Sequence, residues 1–258
     1  MSNQTVYFVT GTTQASWEPP RFAAGLGYEF VRQLRERPGA IVFATSRDPE
    51  RATRLQALTD KGNLHIVKIT KQPESVNEAL EAAEVVKKIA GKVDVVVANA
   101  GIIHHETSIA DSPMSMYQEF LDVNLLNNIA IFKALRPLML ESARQGGTPK
   151  FVAISTQYGS LAMVEGLPGQ SSAYAISKAA LNMFIRHLAY EEKKNGIVTF
   201  PMHPGVVATE TVAPLASRIG LGTIEPAESI QGMMKIIDRA TVDDEVRLWR
   251  YDDTQLPW

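Results

Sequence analysis

Apolar residues gather in short runs at Val6–Val9, Ala40–Ser46, Leu64–Ile69, Val93–Ala98, Phe151–Ser155, Ile197–Met202 and Val246–Arg250. Several of these runs are apolar at successive positions instead of alternating, the pattern of strands covered on both faces. Between them, apolar positions recur at helical spacing, which predicts helices over Gly25–Arg37, Ala52–Thr59, Ser75–Ile89, Met116–Arg144, Ser172–Lys194 and Pro226–Arg239. Strand and helix alternate throughout, so the pattern predicts one α/β domain over residues 1–258 with a parallel sheet and right-handed crossovers. No repeat or linker divides the chain.

Composition narrows the function only by exclusion. Hydrophobic and charged contents of 45% and 21% suit a soluble globular protein, and a formal charge of -2 offers no general attraction for nucleic acid or anionic membrane. With no cysteine, disulfides, thiolate nucleophiles and cysteine-ligated metals are excluded. The N-terminus lacks a basic segment with a long apolar core, and no window approaches a membrane span, so a cytoplasmic protein is expected.

Tyr174 and Lys178 carry the candidate chemistry. At i,i+4 on one helix, a phenol and an ammonium share a face; the cation can favour the phenolate and make the phenol a proton donor. Upstream, a strand ends in Ser155-Thr156, either of which would orient a carbonyl by hydrogen bond. This combination points to redox chemistry at a carbonyl carbon, where negative charge develops on oxygen. Asn124, between apolar residues of the long central helix, demands partners: it would hold a water linking Lys178 to solvent or satisfy backbone groups. His104 and His105 are loop residues beside the expected cleft; no carboxylate and histidine cluster has zinc-ligand spacing, so no metal is expected.

The nucleotide end is less regular. Thr10-Gly11-Thr12-Thr13 follows the first strand, and Gly25-Leu26-Gly27 opens the first helix. Without the ten residues Ala15–Ala24 these pieces would form a glycine-rich turn that brings pyrophosphate to amides at a helix N-terminus. The insertion, with Pro19-Pro20 and Arg21, either bulges away from the phosphate site or blocks it. Ser46-Arg47 closes the second strand with a hydroxyl and a guanidinium, which favours NADP(H) over NAD(H); the alternative is an arginine paired with Asp48 or Glu50. Asn99-Ala100-Gly101 follows the fourth strand, with small residues for close cofactor packing.

Taken together, Thr10-Gly11, Gly25-Leu26-Gly27, Asn99-Ala100-Gly101, Asn124, Ser155-Thr156 with Gly159, Tyr174-x-x-x-Lys178 and Pro204-Gly205 with Thr209 resemble the classical short-chain dehydrogenase/reductases over nearly the whole chain. The ending Arg250–Trp258 is similar to fungal ketoreductases of the norsolorinic-acid type. The resemblance implies a Rossmann-like, doubly wound, seven-stranded parallel sheet in the order 3-2-1-4-5-6-7 with helices on both faces. It implies Tyr174 as acid/base, Lys178 as its partner and ribose ligand, Asn124 as relay, and Thr156 at the usual serine position with Ser155 before it. Pro204, Gly205, Val207 and Thr209 would meet the nicotinamide, and a lid would span 208–221. Thr70 replaces the family's usual aspartate beside adenine.

The expected activity is reduction of a small to medium, apolar, aromatic or polyketide-like ketone with NADPH, or the reverse oxidation of an alcohol. The alternatives are a redox-inactive binding or assembly protein and a non-redox dehydratase or isomerase in the same pocket. A homodimer, or a homotetramer, is expected through the helices around Met116–Arg144 and Ser172–Lys194.

Overall fold

A computed structural model describes residues 4–13, 25–70, 75–103, 108–167 and 171–258. The insertion Ala15–Ala24 and the pair His104-His105 lie outside the described residues.

The strands are β1 (Thr5–Val9), β2 (Ala40–Ser46), β3 (Leu64–Lys68), β4 (Val95–Ala98), β5 (Lys150–Ile154), β6 (Val198–His203), β7 (Leu248–Arg250) and β8 (Gln255–Leu256). They form one sheet in the order β3-β2-β1-β4-β5-β6-β7-β8. The expected seven-stranded order is present, but the sheet carries an eighth strand. The eighth strand has a local cause. Arg250 N–H donates to the Thr254 carbonyl at 2.8 Å, and Asp253 adopts a left-handed φ of 71°. The chain therefore folds back, and β8 pairs antiparallel with β7 while every other pairing is parallel.

The helices are α1 (Leu26–Leu34), α2 (Thr53–Gln56), α3 (Ser75–Ile89), α4 (Met114–Leu121), α5 (Asn127–Arg144), α6 (Ser172–Glu192), α7 (Val212–Arg218) and α8 (Pro226–Arg239). One core lies between the sheet and α1 and α8, built on residues such as Phe30, Val42, Val97, Met202 and Ile237. The other lies beneath α3, α5 and α6, around Phe8, Val96, Leu135, Phe151 and Ile185. Two buried faces explain the continuous apolar runs in the strands.

The expected helix Met116–Arg144 is not continuous. A π-helical turn at Asp122–Leu126 separates α4 from α5, and Asn127 N–H reaches back to the Asp122 carbonyl. Such turns commonly mark functional positions in helices. Ala52–Thr59 likewise shortens to the single turn of α2 between two 3-10 turns.

Candidate active site

The carboxyl ends of the strands open onto a cavity of about 550 Å3. In open α/β sheets, ligands bind at that edge where the strand order reverses, here between β1 and β4.

At the centre of this edge, the β1 and β4 ends are tied together. Thr10 Oγ1 accepts from Asn99 N at 3.0 Å and Ala100 N at 2.9 Å, and Asn99 Nδ2 donates to the Thr10 and Gly11 carbonyls. Gly11 N–H donates to Thr45 Oγ1 at 3.1 Å, and Thr12 Oγ1 donates to the Thr45 carbonyl at 2.7 Å. These bonds fix the turn beside α1, whose Gly25 and Leu26 line the cavity. The first amides of a helix have no acceptor inside the helix, so this end suits an anion. No larger residue fits at Gly27, because a Cβ there would stand 2.3 Å from the Gly11 carbonyl oxygen.

Beyond the turn, Arg47 lines the cavity and is half-buried. Asp48 pairs with Arg51 at 3.5 Å, and no ion pair forms on Arg47 among the described residues. Ser46 is buried, and its Oγ accepts from Asp48 N at 3.2 Å.

The other end of the cavity is built by β5, α6 and the segment after β6. Tyr174 and Lys178 face it from the first two turns of α6. Thr156 shares this wall with Tyr174, and its side chain acts to lower the pKa of the phenol. Burial raises the Tyr174 pKa well above its ordinary value, more than Thr156 lowers it. The expected lowering by Lys178 is not found; desolvation governs the phenol. Lys178 Nζ instead donates to the Ile154 carbonyl at 2.7 Å and lies 5.9 Å from the Tyr174 ring centre. Burial pulls the Lys178 pKa down to about 8.

Ser155 and Thr156 have different surroundings. Ser155 Oγ donates to Asn182 Oδ1 at 2.6 Å inside the protein, whereas Thr156 acts on Tyr174 and caps the next turn through Tyr158 N. Asn124 is fully buried: its Oδ1 accepts from Ile102 N at 2.8 Å, and its Nδ2 donates to the Ile102 carbonyl and Ser177 Oγ. The side chain is thus committed to backbone and hydroxyl partners, and it makes no direct bond to Lys178.

Of the residues expected from sequence, Gly11, Thr13, Gly25, Leu26, Arg47, Asn99, Ala100, Gly101, Ser155, Thr156, Tyr174, Lys178, Pro204, Gly205, Val207 and Thr209 line this cavity. Thr12, Gly27, Ser46 and Asn124 stand behind its wall. α7 also borders the cavity, through Val212, Leu215 and Ala216. Its stem is held by Ala208 N–H donating to the Ile224 carbonyl at 2.8 Å and Ile224 N–H to the Val206 carbonyl at 2.9 Å.

Sequence reading missed Tyr158, whose ring centre lies 6.4 Å from that of Tyr174 in the cavity wall. Two residues past Thr156, it carries no local pattern distinguishing it from a loop tyrosine. His203 is buried at the end of β6, with Nδ1 unpartnered and the pKa held down to about 4 mainly by burial. Among the described residues, no group of three His, Asp or Glu side chains is arranged to hold a metal ion, and no helix is long and apolar enough to cross a membrane.

A phenol that burial keeps protonated, the start of α1 and a guanidinium border one cavity, an arrangement suited to an oxidoreductase of the nicotinamide-dependent class. The sequence pattern described as short chain dehydrogenase matches residues 22–219, so this chain belongs to the short-chain dehydrogenase family. It is 35% identical over 246 residues to the short chain dehydrogenase gsfK of Penicillium aethiopicum, covering 91% of this chain and 95% of that one. Norsolorinic acid ketoreductase of Dothistroma septosporum is 28% identical, covering 100% of this chain and 94% of its own. The NADPH-bound carbonyl reductase from chicken fatty liver superposes with a TM-score of 0.85 at 25% identity, covering 99% of this chain and 94% of that one.

Proposed function

We propose that the protein is an NADPH-dependent carbonyl reductase, able to run in reverse as an alcohol dehydrogenase, acting on a small to medium apolar ketone. The observation that carries this reading is the meeting of Thr156, Tyr174 and Lys178 in one cavity wall, with a phenol that burial keeps protonated.

The residues present fit a dinucleotide. The cavity is continuous from Arg47 to Tyr174, and its donors include the α1 N-terminus, Arg47 and Lys178. When bound, the reduced nicotinamide supplies the hydride that attacks the carbonyl carbon. Thr156 orients the carbonyl oxygen, and Tyr174 gives its phenolic proton to that oxygen as charge develops there. Lys178 holds the ribose and offsets the charge left on Tyr174, while the buried Asn124 network fixes the backbone facing Lys178. Arg47, with no carboxylate partner among the described residues, would take a ribose 2'-phosphate, which supports NADP(H) over NAD(H).

Ile102, Val206, Leu215, Ile219 and Tyr158 line the cavity and suit an apolar or aromatic substrate. The ketoreductase named for norsolorinic acid among its relatives supports a polyketide-like one. A homodimer through α5 and α6 is consistent with exposed Ile176, Met183 and Tyr190 along α6.

The test is calorimetric titration of the full chain with NADPH, followed by stopped-flow loss of NADPH absorbance with a panel of aromatic ketones. Micromolar binding with ketone-dependent oxidation is expected. Absence of NADPH binding would end this reading.

A further inference from the structure

Ser171 stands at the start of α6, where a serine side chain ordinarily accepts from the second or third amide of the helix. Here it does not. Ser171 occupies the capping position with φ -118° and ψ 105°, yet its side chain makes no capping hydrogen bond. Its backbone carbonyl accepts from Ala175 N–H at 2.9 Å, so α6 begins regularly without the hydroxyl. Ser171 is 8% exposed and belongs to the cavity wall, and its Oγ is buried with no hydrogen-bond partner. The next serine differs: Ser172 Oγ is paired with the Tyr117 hydroxyl at 2.9 Å.

A buried hydroxyl without a partner is costly, and native proteins leave few of them. Its position supplies a reason. Ser171, Tyr174 and Lys178 are spaced i, i+3 and i+7, which sets them in one stripe along the helix, and all three line the cavity. Lys178 lies one turn after the phenol, whereas Ser171 lies one turn before it, about 4.5 Å along the axis. With the cofactor ribose on the Lys178 side, the body of the substrate beyond its carbonyl falls on the Ser171 side. The positive end of the helix dipole, where Ser171 stands, favours donation of its proton to an oxygen.

We propose that Ser171 binds a second oxygen of the substrate, a phenol or carbonyl oxygen a short way from the ketone, and makes the protein selective for ketones that carry one. The proposal rests on the reductase reading above and narrows its substrate class. Rotation between staggered side-chain wells turns the hydroxyl towards a ligand without moving the helix. Tyr158, whose ring centre lies 6.4 Å from that of Tyr174, adds aromatic surface to the same cavity wall. Ser171 touches the substrate away from the reacting atoms and takes no part in proton transfer.

The probes are meta-hydroxyacetophenone and meta-methylacetophenone, which exchange a hydroxyl for a methyl of similar size. Values of kcat/KM are measured for both on the full chain at saturating NADPH, beside melting curves. Wild type is expected to favour the hydroxyl probe by about ten-fold, the scale of one hydrogen bond to a group otherwise left unpaired. The preference should appear mainly in KM, because the bond is made in ground and transition states alike. Ser171→Ala should bring the ratio within about two-fold by losing activity on the hydroxyl probe alone. Its melting midpoint should stand at or above that of wild type, since no cap is lost. Ser171→Thr keeps the hydroxyl and should restore the preference.

A serine that serves only the start of α6 would give a lower melting midpoint in Ser171→Ala and slow both ketones equally, and that result overturns the proposal. A wild-type ratio near one, or a Ser171→Ala ratio equal to wild type, also overturns it and leaves the reductase reading standing. NADPH binding without turnover of either probe counts against the proposal in the same way. Failure of wild type to bind NADPH overturns both.

Discussion

A Cβ atom on Gly159 would stand 2.8 Å from the carbonyl carbon of Lys178, and 3.0 Å from that residue's carbonyl oxygen. The turn after Thr156 therefore packs directly on the α6 backbone that carries the phenol and ammonium. Gly159 also accepts from Asn182 Nδ2 at 3.1 Å, and Asn182 Oδ1 accepts from Ser155. Strand end, turn and helix are locked as one unit. Gly159→Ala should push α6 away from the β5 end. Chemical denaturation should show a loss of roughly 1–3 kcal/mol, the scale of core overpacking. Ketone reduction should fall further than the loss of folded protein accounts for.

Ser155 and Thr156 should separate into stability and catalysis. Ser155→Ala removes a buried hydrogen bond and leaves Asn182 short of a partner, at a cost of about 1–3 kcal/mol. The kcat of the folded fraction should change little. Thr156→Val removes the hydroxyl that acts on Tyr174, and kcat should drop by about 10²-fold with a near-normal melting curve. Steady-state kinetics on both variants, beside their melting temperatures, checks the division.

Tyr174→Phe should lower kcat by about 10²- to 10⁴-fold, the range for loss of a positioned proton donor, with NADPH affinity within about two-fold of wild type. Lys178→Met should lower kcat and also weaken NADPH. Calorimetric titration of the two variants separates proton delivery from cofactor holding.

The pH profile has a defined sign. Burial holds the Tyr174 phenol protonated well past its ordinary range, so the proton donor persists across neutral pH. Burial lowers Lys178 to about 8, so its ammonium is present below that pH and lost above it. Reduction should be flat at neutral pH and fall above about pH 8. Measuring kcat/KM from pH 6 to 10 tests this; a rise through pH 8 would contradict the assignment.

Arg47→Leu should weaken NADPH by about 10- to 100-fold, the scale of charge-assisted hydrogen bonds, while NADH binding changes by less than about three-fold. The ratio of the two dissociation constants is the readout. It isolates the 2'-phosphate from general damage to the cavity.

Strand and helix positions were legible because they are written in local periodicity: β1, β2, α3 and α8 lie where the apolar spacing predicts them. Tyr174 and Lys178 were equally legible, since one helical turn brings their side chains together whatever surrounds them. The choice between Ser155 and Thr156 was not, because two adjacent hydroxyls at a strand end face different neighbours. Asn182 claims the first, and the second acts on Tyr174. Tyr158 was invisible for a similar reason: its place depends on a turn packed against α6, which no local spacing encodes.

The sequence by itself determined the alternation of strands and helices and the phenol–ammonium pair, because both follow from repeat distances along one chain segment. Only the tertiary structure decided that desolvation, and not the neighbouring ammonium, governs the Tyr174 proton, and that Glu78 reaches Thr70. It also decided the π turn around Asn124 and the returning strand β8. Each depends on burial or on contacts between separate segments, and those come into being only when the chain closes on itself.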